Sequence, residues 1–379
     1  MRATRYPLLT ILAACLLGAV IARTSAGKQG TIVADHVLTL TPAQAEILSH
    51  QSIVHLDDGN GGTFKALRIS GINVQVVNGT GTTDGGANGL GNLIVGYNEL
   101  GNANGDDRRG SHNIVCGLKH TYTKIGGLVA GKENQILGNF SVVSGGRLNV
   151  ASAAISSISG GYMNTTTGDF ASISGGTKNS ASGARSSVSG GEDSIASGEA
   201  ASVSGGSRNT ASGTYSSVTG GTCNTASDTG ASVSGGTRNL SNGHDASVSG
   251  GAHNTAYGWQ SSVSGGRHNM TAGVYGASIS GGSHNYAGGY YDASVSGGDE
   301  NCADGYQSSW VGGGRNNTAL GPCSAVSGGS SNLASGIWSS VSGGGAGVAS
   351  GRNSSVSGGH LRSAIDMWDW SAGSLFEDD

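Results

Sequence analysis

From residue 142 onward the chain sets one aliphatic residue between two small polar ones at a nearly fixed interval. Val143, Ile158, Ile173, Val188, Val203, Val218, Val233, Val248, Val263, Ile279, Val295, Val311, Val326, Val341 and Val356 form one column. Eleven of the steps between them are 15 residues and three are 16. Looser copies precede them at Val95, Val115 and Val129, giving 15 clear units and up to 18. With the aliphatic residue as position 0, the unit reads S-V-S-G-G-x-x-N-T-A-S-G-x-x-S. Asparagine holds position 6 in twelve of the fifteen clear units, and glycine holds positions 2, 3 and, in most units, 10.

S-V-S and N-T-A-S each alternate polar with apolar residues, the period-two pattern of a half-buried strand. Glycine and asparagine lie between them and tolerate the positive φ of tight corners. Each unit therefore predicts one coil of two short strands and two corners. Successive coils pair in parallel, ~4.8 Å apart. Columns held in phase over such a length indicate stacked coils, not a linker. The expected fold is all-β: a parallel β-roll or β-solenoid of about 15-residue coils over residues 91–362. A small mixed segment at 27–90 is expected to cap one end, and a short tail at 363–379, with Trp368, Trp370 and Phe376, the other. In the first cap, Thr41-Pro42 reads as a helix start. Ile53–Leu56, Ala66–Ser70 and Ile72–Val77 read as strands around a turn at Gly59–Gly62. Only Val or Ile at position 0 and Ala at position 8 are regularly apolar. At ~25 cal/mol per Å² such a core is thin. Polar ladders along the stack and burial of one outer face by self-association are both expected.

Composition sharpens this picture. Glycine makes up 71 of 379 residues, with 3 prolines. Collagen needs glycine at every third position with abundant proline, so it is excluded. A cost of roughly 1 kcal/mol per helical glycine argues against a helical protein. A net charge of −4 with 12 % charged residues argues against charge-driven disorder and against a nucleic-acid partner.

The N-terminus reads as a secretory signal over residues 1–26. Arg2 and Arg5 precede the apolar run Pro7–Ala22, with cleavage expected after Ala22 or Ala26. Leu12-Ala13-Ala14-Cys15 is an alternative, a lipidation site. No integral membrane segment is expected after cleavage, and the chain is expected to be secreted or held at the cell surface. Cys116, Cys223, Cys302 and Cys323 fall at different positions of the unit, which favours free thiols over a disulfide framework.

Candidate chemistry is sparse. Gly126–Lys132 fits GxxxxGK, but Glu133 stands where a magnesium-binding hydroxyl is needed, and no helix follows. Asp57-Asp58-Gly59-Asn60 lacks the later bidentate acid of a calcium loop and reads as a hairpin turn. His253, His268 and His284 share position 5 in consecutive coils. Stacking would bring their Cβ atoms roughly 5 Å apart, near the reach of a metal; an exposed, freely varying corner is the plainer reading. Aromatic residues gather at positions 11 and 12: Phe170, Tyr215, Trp259, Tyr275, Tyr290, Tyr291, Tyr306 and Trp338. They read as side chains along the surface or in a subunit seam, or as a ridge facing a ligand such as sugar. No catalytic constellation, cofactor site or enzyme activity is expected.

These units resemble the head repeats of trimeric autotransporter adhesins, the YadA-like left-handed parallel β-roll. The matching residues are Ala231-Ser232-Val233-Ser234-Gly235-Gly236, then Asn239, and Asn209-Thr210-Ala211-Ser212-Gly213. The resemblance spans about residues 91–362. It implies a homotrimeric, cell-surface or secreted adhesive head that attaches to host cells, matrix or glycans. Family units of about 14 residues are matched here only from Val115 to Val129 to Val143. No heptad stalk or terminal membrane barrel is read in the sequence, so a free-standing head-like protein is expected. An ice-binding solenoid is the alternative function, with serine here in place of that class's outward threonines. A polysaccharide-active β-helix enzyme is a third.

Overall fold

The computed structural model describes residues 20–22 and 37–373. Apart from Val20–Ala22, the expected signal segment with Cys15 and Ala26 lies outside the described residues, as does Phe376. The chain divides into two compact units, Met1–Gln75 and Val76–Asp379.

In the first unit, Val20–Ala22 pairs antiparallel with Val37–Thr39. A helix spans Pro42–Ser49. Thr41 caps it: its side chain accepts the Gln44 N–H, and the Gln44 side chain accepts the Thr41 N–H at 2.9 Å. Gln51–Asp57 and Thr63–Ile69 form an antiparallel hairpin. The Asp58 carboxylate accepts the Asn60 and Gly62 N–H groups at 2.8 Å. Those bonds hold its pKa below the usual value. The acidic string is thus used up by its own turn. The strand expected at Ile72–Val77 is not formed. The alternation is there, but a strand needs a ladder partner, and no described segment supplies one.

The second unit is a stack of parallel coils. Its first ladder, here the valine ladder, has nineteen strands from Leu93–Val95 to Trp370–Ser371. The alanine ladder has seventeen, from Thr121–Tyr122 to Ser363–Ala364. Most are two residues long, as the short alternating strings required. Registers are one coil apart: Val203 faces Val218, and Ala211 faces Ala226. A third line of single bridges follows position 4, from Lys132 and Arg147 through Tyr162 to His360. Pairing continues past residue 362, so residues 363–371 add a further coil.

The interior has four columns. Val or Ile at position 0 and mostly Ala at position 8 are 0–2 % exposed. Position 13 forms a third column, with Ala171, Ser186, Ala201 and Ser216 fully buried. The asparagines of position 6 form the fourth. Asn224 is typical. Its N–H donates to Asn209 Oδ1 at 3.0 Å, and its Nδ2 donates to the carbonyls of Gly220 at 2.8 Å and Gly236 at 3.0 Å. Its own Oδ1 accepts the Asn239 N–H at 2.9 Å. Every hydrogen-bonding group of the amide is thereby satisfied inside the stack, as burial demands. His120 stands at an early rung of this column. Its Nδ1 accepts the Asn134 N–H at 3.2 Å, and its Nε2 lies 3.1 Å from the Cys116 carbonyl. Burial pushes its pKa below the ordinary histidine value.

The corners differ from expectation. Positive φ falls on position 3, as at Gly206 (84°), but not on position 6. It falls instead on positions 5 and 12, occupied by Arg208 (55°), Tyr215 (58°), His253 (58°) and many other non-glycine residues. The left-handed region costs a non-glycine residue roughly 1–2 kcal/mol. The ladder offsets it, since these N–H groups still reach the previous coil: Arg208 donates to the Glu192 carbonyl and Tyr215 to that of Glu199, both at 2.8 Å. Position 10 needs glycine for another reason. A Cβ on Gly198 would run into the Gly213 carbonyl of the next coil.

Candidate functional site

The three 16-residue coils are consecutive, spanning Val263 to Val311. Their extra residue sits at the corner after position 10. Gly258-Trp259-Gln260-Ser261 becomes Gly273-Val274-Tyr275-Gly276-Ala277 in the next coil. The left-handed residues of this corner are Gln260, Gly276, Asp292 and Ser308. The residues just before them pair as parallel bridges, Trp259 with Tyr275, Tyr275 with Tyr291, and Tyr291 with Gln307. That register makes Val274, Tyr290 and Tyr306 the insertions. The added residue lengthens the corner enough for a further line of backbone pairing.

Two files of rings stand on this corner. In the first, His244 stacks on Trp259 at 5.3 Å, Trp259 meets Tyr275 edge-on at 5.6 Å, and Tyr275 lies parallel to Tyr291 at 5.7 Å. In the second, Tyr290 lies parallel to Tyr306 at 5.2 Å. Tyr290 and Tyr291 join the files edge to face at 4.7 Å. Parallel rings at such spacings are offset, so much of each ring stays open to solvent. Trp259 is 52 % exposed and Tyr306 58 %. Burial among the rings, then the neighbouring phenols of Tyr290, Tyr306 and Tyr275, raise the Tyr291 pKa. The corner segments 244–245, 259–260, 274–276, 290–292 and 306–308 carry Asp245, Gln260, Asp292 and Gln307 and no lysine or arginine.

The structure therefore gathers Trp259, Tyr275, Tyr290, Tyr291 and Tyr306 and adds His244. It leaves Phe170, Tyr215 and Trp338 elsewhere. Those three occupy the left-handed residue itself in shorter coils, so they do not continue the files. Trp338 packs instead beneath the Arg352 guanidinium, 5.1 Å from its ring centroid. The sequence held part of the missing signal in the three 16-residue intervals, which carry Tyr275, Tyr290, Tyr291 and Tyr306.

His253, His268 and His284 do form a column, with ring centroids 4.8 and 4.9 Å apart and planes within 17° and 7° of parallel. The rings stack face to face instead of turning their nitrogens on one point. Among the described residues no group of three His, Cys, Asp or Glu side chains is placed to hold a metal. Burial and the neighbouring His253, Arg267 and His284 lower the His268 pKa. The four cysteines are free. Cys302 is partly covered, and burial pushes its thiol up to about 11. The GxxxxGK string lies largely in the strand Leu128–Lys132, and Glu133 pairs with Arg147 at 3.0 Å. A cleft of about 630 Å³ near the first coils is lined by Asp84, Arg109, Thr123, Lys124, Ile125 and Asn139, among others. No motif in the sequence marked it.

No protein-family model matches the chain, and no curated protein matches it. No described helix is long and apolar enough to cross a membrane.

Proposed function

We propose that this chain is an extracellular structural or adhesive rod that attaches to cells, matrix or glycans through one aromatic corner of its coil stack. The observation that carries this reading is the ridge itself. Large rings are scarce in this chain, yet six lie together, four of them (Tyr275, Tyr290, Tyr291 and Tyr306) on the three corners lengthened by one residue and two (His244 and Trp259) on the 15-residue coils just before them. Contiguous exposed apolar surface of this kind marks a contact site. The ridge binds and does no chemistry. The apolar N-terminal segment supports an extracellular location, and the resemblance to trimeric autotransporter heads supports the adhesive role. Self-association into a trimer belongs to the same reading. The hairpin side chains Ile53, Phe64 and Leu67 are all exposed in the single chain.

A glycan and matrix-protein binding array with the full chain tests the proposal. Capture of a defined ligand, abolished by Trp259→Ala with Tyr275→Ala, is expected. Equal capture by that double variant would sink it. The ice-binding alternative draws on the flat rows of outward serines beside the valine column, such as Ser202 and Ser204. Thermal hysteresis above that of a control protein would favour it, and it would not depend on the rings.

A further inference from the structure

We infer that the ridge takes a neutral, extended, equatorially linked polysaccharide lying parallel to the stack axis, about one sugar per coil; this rests on the adhesive reading above. Three observations point the same way. First, the rings advance one coil at a time. Trp259, Tyr275 and Tyr291 occupy consecutive rungs of one backbone-paired line, and Tyr290 and Tyr306 occupy two rungs of the second file. An extended chain of equatorially linked pyranoses advances by slightly more than the ~4.8 Å between coils, so the two repeats stay nearly in step over the few coils of the ridge. A helical glucan or a branched glycan tip has no such commensurate repeat.

Second, the rings are exposed, and the parallel pairs Tyr275–Tyr291 and Tyr290–Tyr306 are offset, which leaves ring surface free to meet the C–H face of a sugar. Third, the polar neighbours suit hydroxyls and not anions. Asp245, Gln260 and Asp292 sit one residue after ring positions and flank the file, with no lysine or arginine in these corner segments. Carboxylates and amides accept from, or bridge, adjacent hydroxyls. The two aspartates repel a uronate or sulfated chain. Including His244, the ridge spans five coils, so the footprint is about five sugars.

The test is a titration of the full chain with β-1,4-linked gluco-, manno- and chito-oligosaccharides of two to eight units. An α-linked malto series and a branched glycan serve as comparisons. At least one β-linked series should gain roughly tenfold in affinity from two to five units and then level off. Tyr306→Ala, at the end of the ridge, should shorten the plateau by one unit while leaving the far-ultraviolet spectrum unchanged. Gln307 already shows that a coil here closes without a ring on the first file. Affinity independent of length, or preference for the branched tip, overturns this inference and leaves the adhesive reading standing. Absence of binding to every carbohydrate, alongside capture of a matrix protein, overturns it too. Absence of any ligand on either test removes both.

Discussion

At the residue scale, the stack is held as much by amides as by methyl groups. Asn224, itself fully buried, makes three donor bonds and accepts a fourth. Asn224→Ala forfeits three side-chain bonds and leaves the Gly220 carbonyl and the Asn239 N–H without these partners, while the Gly236 carbonyl keeps the Thr222 N–H. At about 1 kcal/mol per lost bond, roughly 3 kcal/mol of stability should go, read as a lower urea midpoint. The serines of position 13 behave oppositely. Ser186 and Ser216 are buried with no partner for their hydroxyls, between coils where Ala171 and Ala201 hold the same place. Ser186→Ala should therefore stabilise by about 1 kcal/mol in the same measurement. His120 gives the interior a pH dependence. It must be neutral for Nδ1 to accept the Asn134 N–H, and its folded pKa lies below the ordinary 6.5. Its contribution is complete above the unfolded value. As the pH falls through that value toward the folded one, the unfolded chain takes up a proton that the native chain refuses, and stability is lost. His120→Asn, which restores the column's usual amide, should flatten this part of the urea-midpoint profile against pH. An unchanged slope would mean that another group sets it.

At the element scale, the three glycine columns owe their glycine to different causes. Position 10 allows no side chain, because a Cβ on Gly198 overlaps the carbonyl of the coil above. Gly198→Ala should force adjacent coils apart and cost at least ~3 kcal/mol. Gly205, at position 2, has nothing within 4 Å of its would-be Cβ, so Gly205→Ala should change the melting midpoint little. Comparing the two variants separates close approach from mere glycine abundance. The strands, their length, their parallel order and the valine and alanine columns were all legible, because each follows from a period-two string locked to a coil-length interval. The left-handed residues were not. A stacked corner can hold Arg208 or Tyr215 at positive φ when its N–H completes a ladder, and no local propensity carries that information. The third apolar column was hidden because serine and alanine alternate there. The candidate ridge was half legible. Its rings were plain, but the place one residue before the left-handed one, which separates Trp259 and Tyr275 from Tyr215 and Trp338, emerges only when the left-handed residues are aligned. Substitutions at these surfaces are also coupled: the Tyr286 ring lies over Gly288, and Trp310 over Gly312, in strands where the usual outward residues are small.

At the scale of the whole coil stack, each coil touches only its neighbours, so stability should be nearly additive in coil number. Excising residues 204–218 removes one coil and joins Val203 to Thr219 with every column still in phase. Asn224 then meets Ser194 instead of Asn209, a weaker rung of a kind the stack already tolerates, since Asn209 lies 3.4 Å from the Ser194 hydroxyl. The shortened chain should keep its β-sheet spectrum and a single melting transition within a few degrees of the parent. Excising only Thr210–Ser217 is predicted to act quite differently, although fewer residues are lost. The join then carries Asn209 directly into Val218, and the affected coil has neither the alanine strand nor the second corner. Its neighbours lose pairing on the alanine ladder and keep it on the valine ladder. The stack should break there into two shorter blocks that melt separately, resolved by calorimetry as two transitions. If both excisions melted alike, the columns would not be what unites the coils, and the stability of the stack would have to come from an outer face buried between chains.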